Sequence, residues 1–244
     1  MRDEILLVLG VSLGASAVFA LLDLVRSLTA PKPLNQQTQT LVQSAAPGRP
    51  WLDLAFQLAS IAFGVLPAVL AIHLLRRDHE YPARLLGLSP PSPLVDLAAG
   101  AGLAALIGIP GLGLYLAGHA AGFNVTVVPA ALPHVWWAIP VLVLTAAENA
   151  VLEEVVVVGY LLTRLGQLGW RTPVIVAASA LLRGSYHLYQ GFGGFLGNAA
   201  MGVVFALVYL RWKRVGPLIL AHTILDTVAF VGYALFSRHL AFLH

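Results

Sequence analysis

Eight polar side chains stand inside long apolar runs in the second half of this sequence. Glu148, Asn149, Glu153 and Glu154 fall in one run, Arg183 and His187 in the next, and His222 and Asp226 in the last. An ionisable group at membrane depth costs roughly 2.5–3.5 kcal/mol, so such groups mark a functional interior by default. Residues four apart share a helix face, which pairs Asn149 with Glu153, Arg183 with His187, and His222 with Asp226. Glu153 and Glu154 diverge by about 100° and are expected to do different jobs. A Glu beside a His can hold and deprotonate a water. A second His can donate to a developing oxyanion while a neighbouring Asp fixes its tautomer. Together these make a hydrolytic kit that needs no Ser or Cys nucleophile. Two His and two carboxylates also suit zinc, although no HExxH is present and the donors are spread over three helices.

The elements that must position these groups are membrane helices. With 59% hydrophobic and 10% charged residues, and a mean hydropathy of +0.83, the chain cannot cover a water-facing surface, since soluble domains are near a quarter charged. Zero cysteines exclude thiol catalysis, thiolate metal sites and disulfides. Seven apolar segments have about the length that crosses a ~30 Å hydrocarbon layer. They run Ile5–Leu22, Leu52–Leu75, Leu94–Ala121, Trp136–Leu162, Pro173–Gly191, Gly193–Leu210 and Val215–Phe236. The first is too long for a signal-peptide core and its head, Arg2-Asp3-Glu4, lacks net positive charge, so it is kept as a helix. The expected fold is all-α, a polytopic bundle of about seven spans with the site in the last four. It divides into N-terminal helices and loop over 1–130 and a catalytic core over 131–244, within one integral-membrane domain.

Charge bias sets the expected topology. Arg2, Arg76, Arg77, Arg84, Arg164, Arg171, Arg211, Lys213 and Arg214 fall on one side; Arg26, Lys32, Arg49 and Arg238 fall on the other. Nine against four puts the amino terminus inside, in a plasma (inner) membrane. The net charge of +3 does not imply nucleic acid, because most of the 14 cationic residues flank apolar runs. Ser27–Pro50, rich in Pro, Gln, Thr and Ser, reads as an extramembrane loop, and Pro90, Pro91 and Pro93 interrupt the chain before the third run. Gly100, Gly102, Gly108, Gly111 and Gly113, and Gly193, Gly194, Gly197 and Gly202, suit close helix packing. Trp136, Trp137, Trp170 and Trp212 read as an interfacial belt. His73, His79, His119, His134, His239 and His244 lie at ends or in loops.

Three ordered motifs carry a resemblance. Glu153-Glu154 with Val158-Gly159-Tyr160, then Arg183-Gly184-Ser185-Tyr186-His187, then His222-Thr223-Ile224-Leu225-Asp226 resemble the CPBP (Abi or CAAX-protease) family of intramembrane proteases over roughly residues 136–237. The resemblance implies that Glu153 is the base and His187 its partner on the water. It makes His222 and Asp226 the oxyanion pair and Glu154 a structural or orienting neighbour. The family places an Arg four residues after the double Glu and a Phe four before the His; here Val158 and Arg183 occupy those positions. The two departures read as one change, in which the guanidinium has moved to the adjacent helix and pairs with Glu154 or Glu153 from there.

The function expected is an intramembrane endopeptidase, a type II CAAX prenyl endopeptidase-like hydrolase. Its substrate would be a membrane-embedded or lipid-anchored protein or peptide, with membrane lipid as its surroundings and no nucleic-acid partner. The preferred mechanism is that of a glutamic endopeptidase with no cofactor. The metalloprotease alternative places Zn2+ on Glu153, His187, His222 and Asp226. Asn149, Glu154 and Arg183 support the site. Competing classes are an inactive scaffold or immunity protein and an ion-coupled transporter, against which no paired repeat with broken helices is found.

Overall fold

The computed structural model describes residues 1–78, 82–88 and 93–236; Pro90, Pro91, His79, Arg238, His239 and His244 lie outside them. Helices α1 (Arg2–Gly10) and α2 (Leu13–Leu28) meet at a bend of 52°. After a single 3-10 turn comes strand β1 (Thr38–Gln43). Helices α3 (Pro50–Gly64) and α4 (Leu66–Leu75) form one 26-residue apolar span. Short α5 (Pro82–Leu85), long α6 (Pro93–Ala120) and strand β2 (Thr126–Ala131) follow. The core then runs through α7 (Ala138–Glu153), a π-helical stretch (Glu154–Tyr160), α8 (Leu161–Gln167), α9 (Thr172–Ser185), α10 (Phe192–Trp212) and α11 (Gly216–Phe236).

The expected count of seven spans is not reached. Among the described residues four helices are long and apolar enough to cross a membrane: Pro50–Leu75, Pro93–Ala120, Phe192–Trp212 and Gly216–Phe236. The bent α1–α2 pair makes a fifth if taken as one span. The run Trp136–Leu162 falls in α7, the π stretch and α8, which follow one another without a gap from Ala138 to Gln167. The run Pro173–Gly191 yields only the 14-residue α9, about 21 Å long at 1.5 Å per residue. Even so, the long apolar helices make this an integral membrane protein.

The all-α expectation also misses a sheet. Strands β1 and β2 pair in parallel, with Thr38 opposite Thr126 and Gln43 opposite Ala131. Parallel strands need a long crossover, which α3 to α6 provide. Thus Ser27–Pro50 is an ordered connection, tied down by Gln37 Nε2 donating to Ser27 O and Lys32 O at 2.8 and 2.7 Å.

Close helix approach uses some of the glycines and not others. A Cβ at Gly100 would lie 2.8 Å from Leu220 Cβ, so α6 sits against α11 there. One at Gly202 would lie 2.9 Å from Ala180 Cα, so α10 sits against α9. Gly102, Gly111 and Gly113 have open space instead, which corrects the reading of them as packing residues. Trp137 is buried whereas Trp136, Trp170 and Trp212 are exposed; only these three suit a belt.

Two cations that read as topology markers are structural hubs. Fully buried Arg164 donates from Nε to Glu4 Oε1 at 2.9 Å and from Nη2 to Leu74 O at 3.0 Å, and pairs with Asp78. Tyr160 donates to the same Glu4 oxygen at 2.8 Å, which fastens α1 to the end of the π stretch. Arg214 pairs with Asp96 of α6 at 2.6 Å.

Candidate active site

The π stretch begins where the chemistry does. Glu153 ends α7 and Glu154 opens the wider turn, and both carboxylates meet the same guanidinium. Arg183 Nη2 donates to Glu154 Oε1 at 2.5 Å and Nη1 lies 3.6 Å from Glu153 Oε2. Arg183 and Glu154 are both fully sealed from solvent. The Arg183 Cζ stands 5.3 Å from the Phe205 ring centre, within cation–π range. Val158, at the family's Arg position, is buried in the apolar core. The positive charge that a buried carboxylate pair needs therefore comes from α9.

Each imidazole is oriented by a partner. His187 Nδ1 lies 2.9 Å from Arg183 O, a carbonyl that can only accept. Nδ1 therefore carries the proton, and Nε2 of the neutral ring keeps its lone pair. His222 Nδ1 lies 2.8 Å from Glu154 Oε1, whereas its Nε2 is 3.6 Å from Asp226 Oδ2. The contact that orients His222 is therefore with Glu154, where the sequence assigned that task to Asp226. Asn149 Nδ2 donates to Asp226 Oδ2 at 3.4 Å, so this pair joins α7 to α11.

Sequence reasoning missed Tyr186. Its hydroxyl donates to Glu153 Oε2 at 2.8 Å. The signal was present: a tyrosine beside His187 in an apolar run needs a partner for its O–H. Asn124 was missed as well. It is buried, accepts from Gly193 N–H at 2.8 Å and donates to Tyr115 O at 3.3 Å. Its neighbours bond to Gln190 O and from Phe192 N, beside Gly191 at φ 98°, a left-handed conformation that favours glycine. Asn124 thus fixes the turn that carries the chain from His187 into α10.

Glu153, His187, His222, Asp226 and Asn149 line one cavity of about 1350 Å³, with Glu148 and Tyr186. Glu154 and Arg183 are not on its wall. Among the described residues, the carboxylate and imidazole atoms that approach one another as a ligand set are those of Glu153, Glu154 and His222, within 4.8 Å. That trio differs from the quartet the sequence offers to zinc. Its Glu154 oxygen is already engaged by both Arg183 and His222.

Residues 135–228 match the family described as type II CAAX prenyl endopeptidase Rce1-like. No curated protein and no solved structure matches the chain. The matched stretch contains Glu148, Glu153, Glu154, Arg183, His187, His222 and Asp226. Over residues 135–228, then, the match to the type II CAAX prenyl endopeptidase Rce1-like family supports the resemblance to the CPBP intramembrane proteases.

Proposed function

We propose that the protein is an intramembrane endopeptidase in which Glu153 activates water against a peptide bond of a membrane-associated protein or peptide. One observation carries this reading: of the two adjacent glutamates, only Glu153 reaches the cavity, and it does so together with His187, His222 and Asp226. Glu154, sealed behind it against Arg183, has no water to act on and serves as the strut that holds His222. Glu153 takes a proton from water while His187 Nε2 accepts the water's other hydrogen as a hydrogen bond. The hydroxide adds to the scissile carbonyl carbon, and the oxygen that gains charge needs a donor. His222 can serve it only from Nε2–H, since Nδ1–H is given to Glu154; the donor is thus the doubly protonated ring, flanked by Asp226. Glu153 returns its proton to the departing nitrogen, the C–N bond breaks, and a carboxylic acid and an amine leave, the acid giving up its remaining proton to solvent.

No metal is required in this scheme. A divalent ion among Glu153, Glu154 and His222 would stand against the Arg183 guanidinium and compete with it and with His222 for Glu154 Oε1. The charge bias of the loops supports an amino terminus in the cytoplasm, and residence in the plasma membrane is part of the same proposal.

The deciding experiment incubates the purified protein in lipid with membrane-protein fractions and identifies released peptides by mass spectrometry. Glu153→Gln is expected to abolish release at unchanged unfolding midpoint, and chelator is expected to leave release intact. Undiminished release from Glu153→Gln would end the hydrolase reading in favour of a scaffold or transporter. Loss of release in chelator, with metal found by elemental analysis, would replace the metal-free mechanism.

A further inference from the structure

The β1–β2 ribbon does something that its two strands alone do not explain. An isolated pair of strands is marginal in water, yet β1 is held at its start by the Gln37 side chain and at its end by α3. Gln57 of α3 donates to Gln43 O at 2.9 Å, and Ala45 N–H donates to Asp53 at 2.8 Å. The phase of the ladder follows from Thr126 N–H donating to Gln37 O at 2.8 Å. The odd-numbered residues of β1 then bond to β2, and Thr38, Thr40 and Val42 point their N–H and C=O groups to the opposite edge. The far edge of β2 is covered, since Val127 N–H donates to Tyr115 Oη at 3.0 Å. Pro129 stands on that same far side, where its missing N–H costs the ladder nothing. The edge of β1 has no such cover: among the described residues, Thr38, Thr40 and Val42 have no backbone bond outside the ribbon. Residues Gln39 to Gln43 line the cavity that holds Glu153, His187 and His222.

A protease needs its substrate extended, because a helix keeps each scissile carbonyl in its own hydrogen bonds. Unwinding at membrane depth leaves backbone groups without water, and each group left unpaired there is costly. A free strand edge on the cavity wall supplies those partners.

The charge of the wall selects what pairs there. Asp23, Glu148, Glu153 and Asp226 line the cavity, and among the described residues no lysine or arginine does. Asp23 is neutralised by Arg26 at 2.9 Å and Glu153 faces Arg183. Glu148 has no hydrogen bond or ion pair among the described residues. Its carboxylate lies against the backbone of α3, where a Cβ on Gly64 would overlap it.

We infer that the free edge of β1 is the substrate-docking strand: an extended peptide stretch with a basic residue pairs there as a third strand, its side chain set against Glu148. This rests on the endopeptidase reading, and names the form and charge of its substrate.

The test uses full-length Glu153→Gln protein in micelles, which binds without cleaving. The probe is a dye-labelled, capped heptapeptide of alternating valine and threonine around a central lysine, read by fluorescence anisotropy. N-methylation along the peptide is expected to raise Kd about tenfold at alternate amides and little at those between, the signature of one-sided strand pairing. Replacing the lysine by glutamate is expected to weaken binding about tenfold. Thr40→Pro, which removes an edge N–H and no ladder bond, is expected to raise Kd at least as much. An unbound probe, a flat N-methyl scan, or Thr40→Pro binding like its parent overturns the inference. If Thr40→Pro does not fold, the N-methyl scan on unaltered β1 decides. Because cleavage is not measured here, a failure of the edge leaves hydrolysis by Glu153 standing, and a failure of hydrolysis is read in the other assay.

Discussion

Replacing Arg183 by Met keeps the length and most of the volume of the side chain while removing its charge. Two carboxylates then lose their cation, at 2.5 Å for Glu154 and 3.6 Å for Glu153. Glu154 cannot turn to water, because none of its side chain is exposed. Breaking a buried ion pair from one side costs about 3–5 kcal/mol, a large share of the 5–15 kcal/mol by which a typical domain is stable. The double variant Arg183→Met, Glu154→Gln removes the stranded charge and keeps an oxygen for His222 Nδ1–H. It is expected to recover at least half of that loss, since replacing both partners of a buried pair is often close to neutral. Both are measured by tryptophan fluorescence during SDS titration in mixed micelles. A loss below about 1 kcal/mol in the single variant, or a double variant no more stable than the single, refutes the claim that this guanidinium holds the carboxylates.

Tyr186→Phe removes the donor to Glu153; a hydrogen bond to a charged group is worth about 1.5–3 kcal/mol, so kcat/KM for peptide release is expected to fall roughly ten- to a hundredfold with the fold intact, and an unchanged value argues against Glu153 as base. Gly202→Val drives a side chain into the α9 backbone at Ala180 and is expected to cost about 1–3 kcal/mol in the same titration. Gly111→Ala, with open space around it, is expected to be neutral or stabilising by up to about 1 kcal/mol; equal losses at the two sites would contradict the packing described. Arg164→Leu leaves Glu4 with only the Tyr160 hydroxyl and is expected to loosen α1, read as faster proteolysis in the first ten residues; unchanged protection would mean that the ion pair holds nothing.

The cluster was legible because charge is expensive in lipid: Glu153, Arg183, His187 and His222 stand out against apolar neighbours without any knowledge of the fold. Spacing by four paired Asn149 with Glu153 and His222 with Asp226 on common faces, but faces do not name partners. Whether Arg183 meets Glu154 or Glu153, and whether His222 turns to Asp226 or Glu154, depends on the mutual tilt of α7, α9 and α11. The count of seven spans is not confirmed, because hydropathy reads composition and not the length or regularity of each helix. Nothing in the average marks the end of α9 at Ser185 or the wider turn at Glu154. The strands were hidden because six residues of Thr, Gln, Leu and Val in a polar loop have no meaning until a distant segment pairs with them. Loop cations misled in a subtler way. Arg164 and Arg214 flank apolar runs as topology signals do, yet their charges are answered by Glu4, Asp78 and Asp96.

The wide turn at residues 154–160 also makes the chain's length a functional quantity. A π turn holds one residue more than the α-helix it interrupts, so the four-valine run contains a spare. Deleting one valine would let the segment close into ordinary α-helix with Glu153 and Glu154 unmoved. Because the residue removed is the spare one, the turns on either side keep their register, and Tyr160 and Arg164 stay opposite Glu4. A single-codon loss is thus absorbed in the valine run, whereas the same loss between Leu161 and Arg164, in regular α-helix, would turn Arg164 by about 100° and uncouple the amino terminus from the carboxylates.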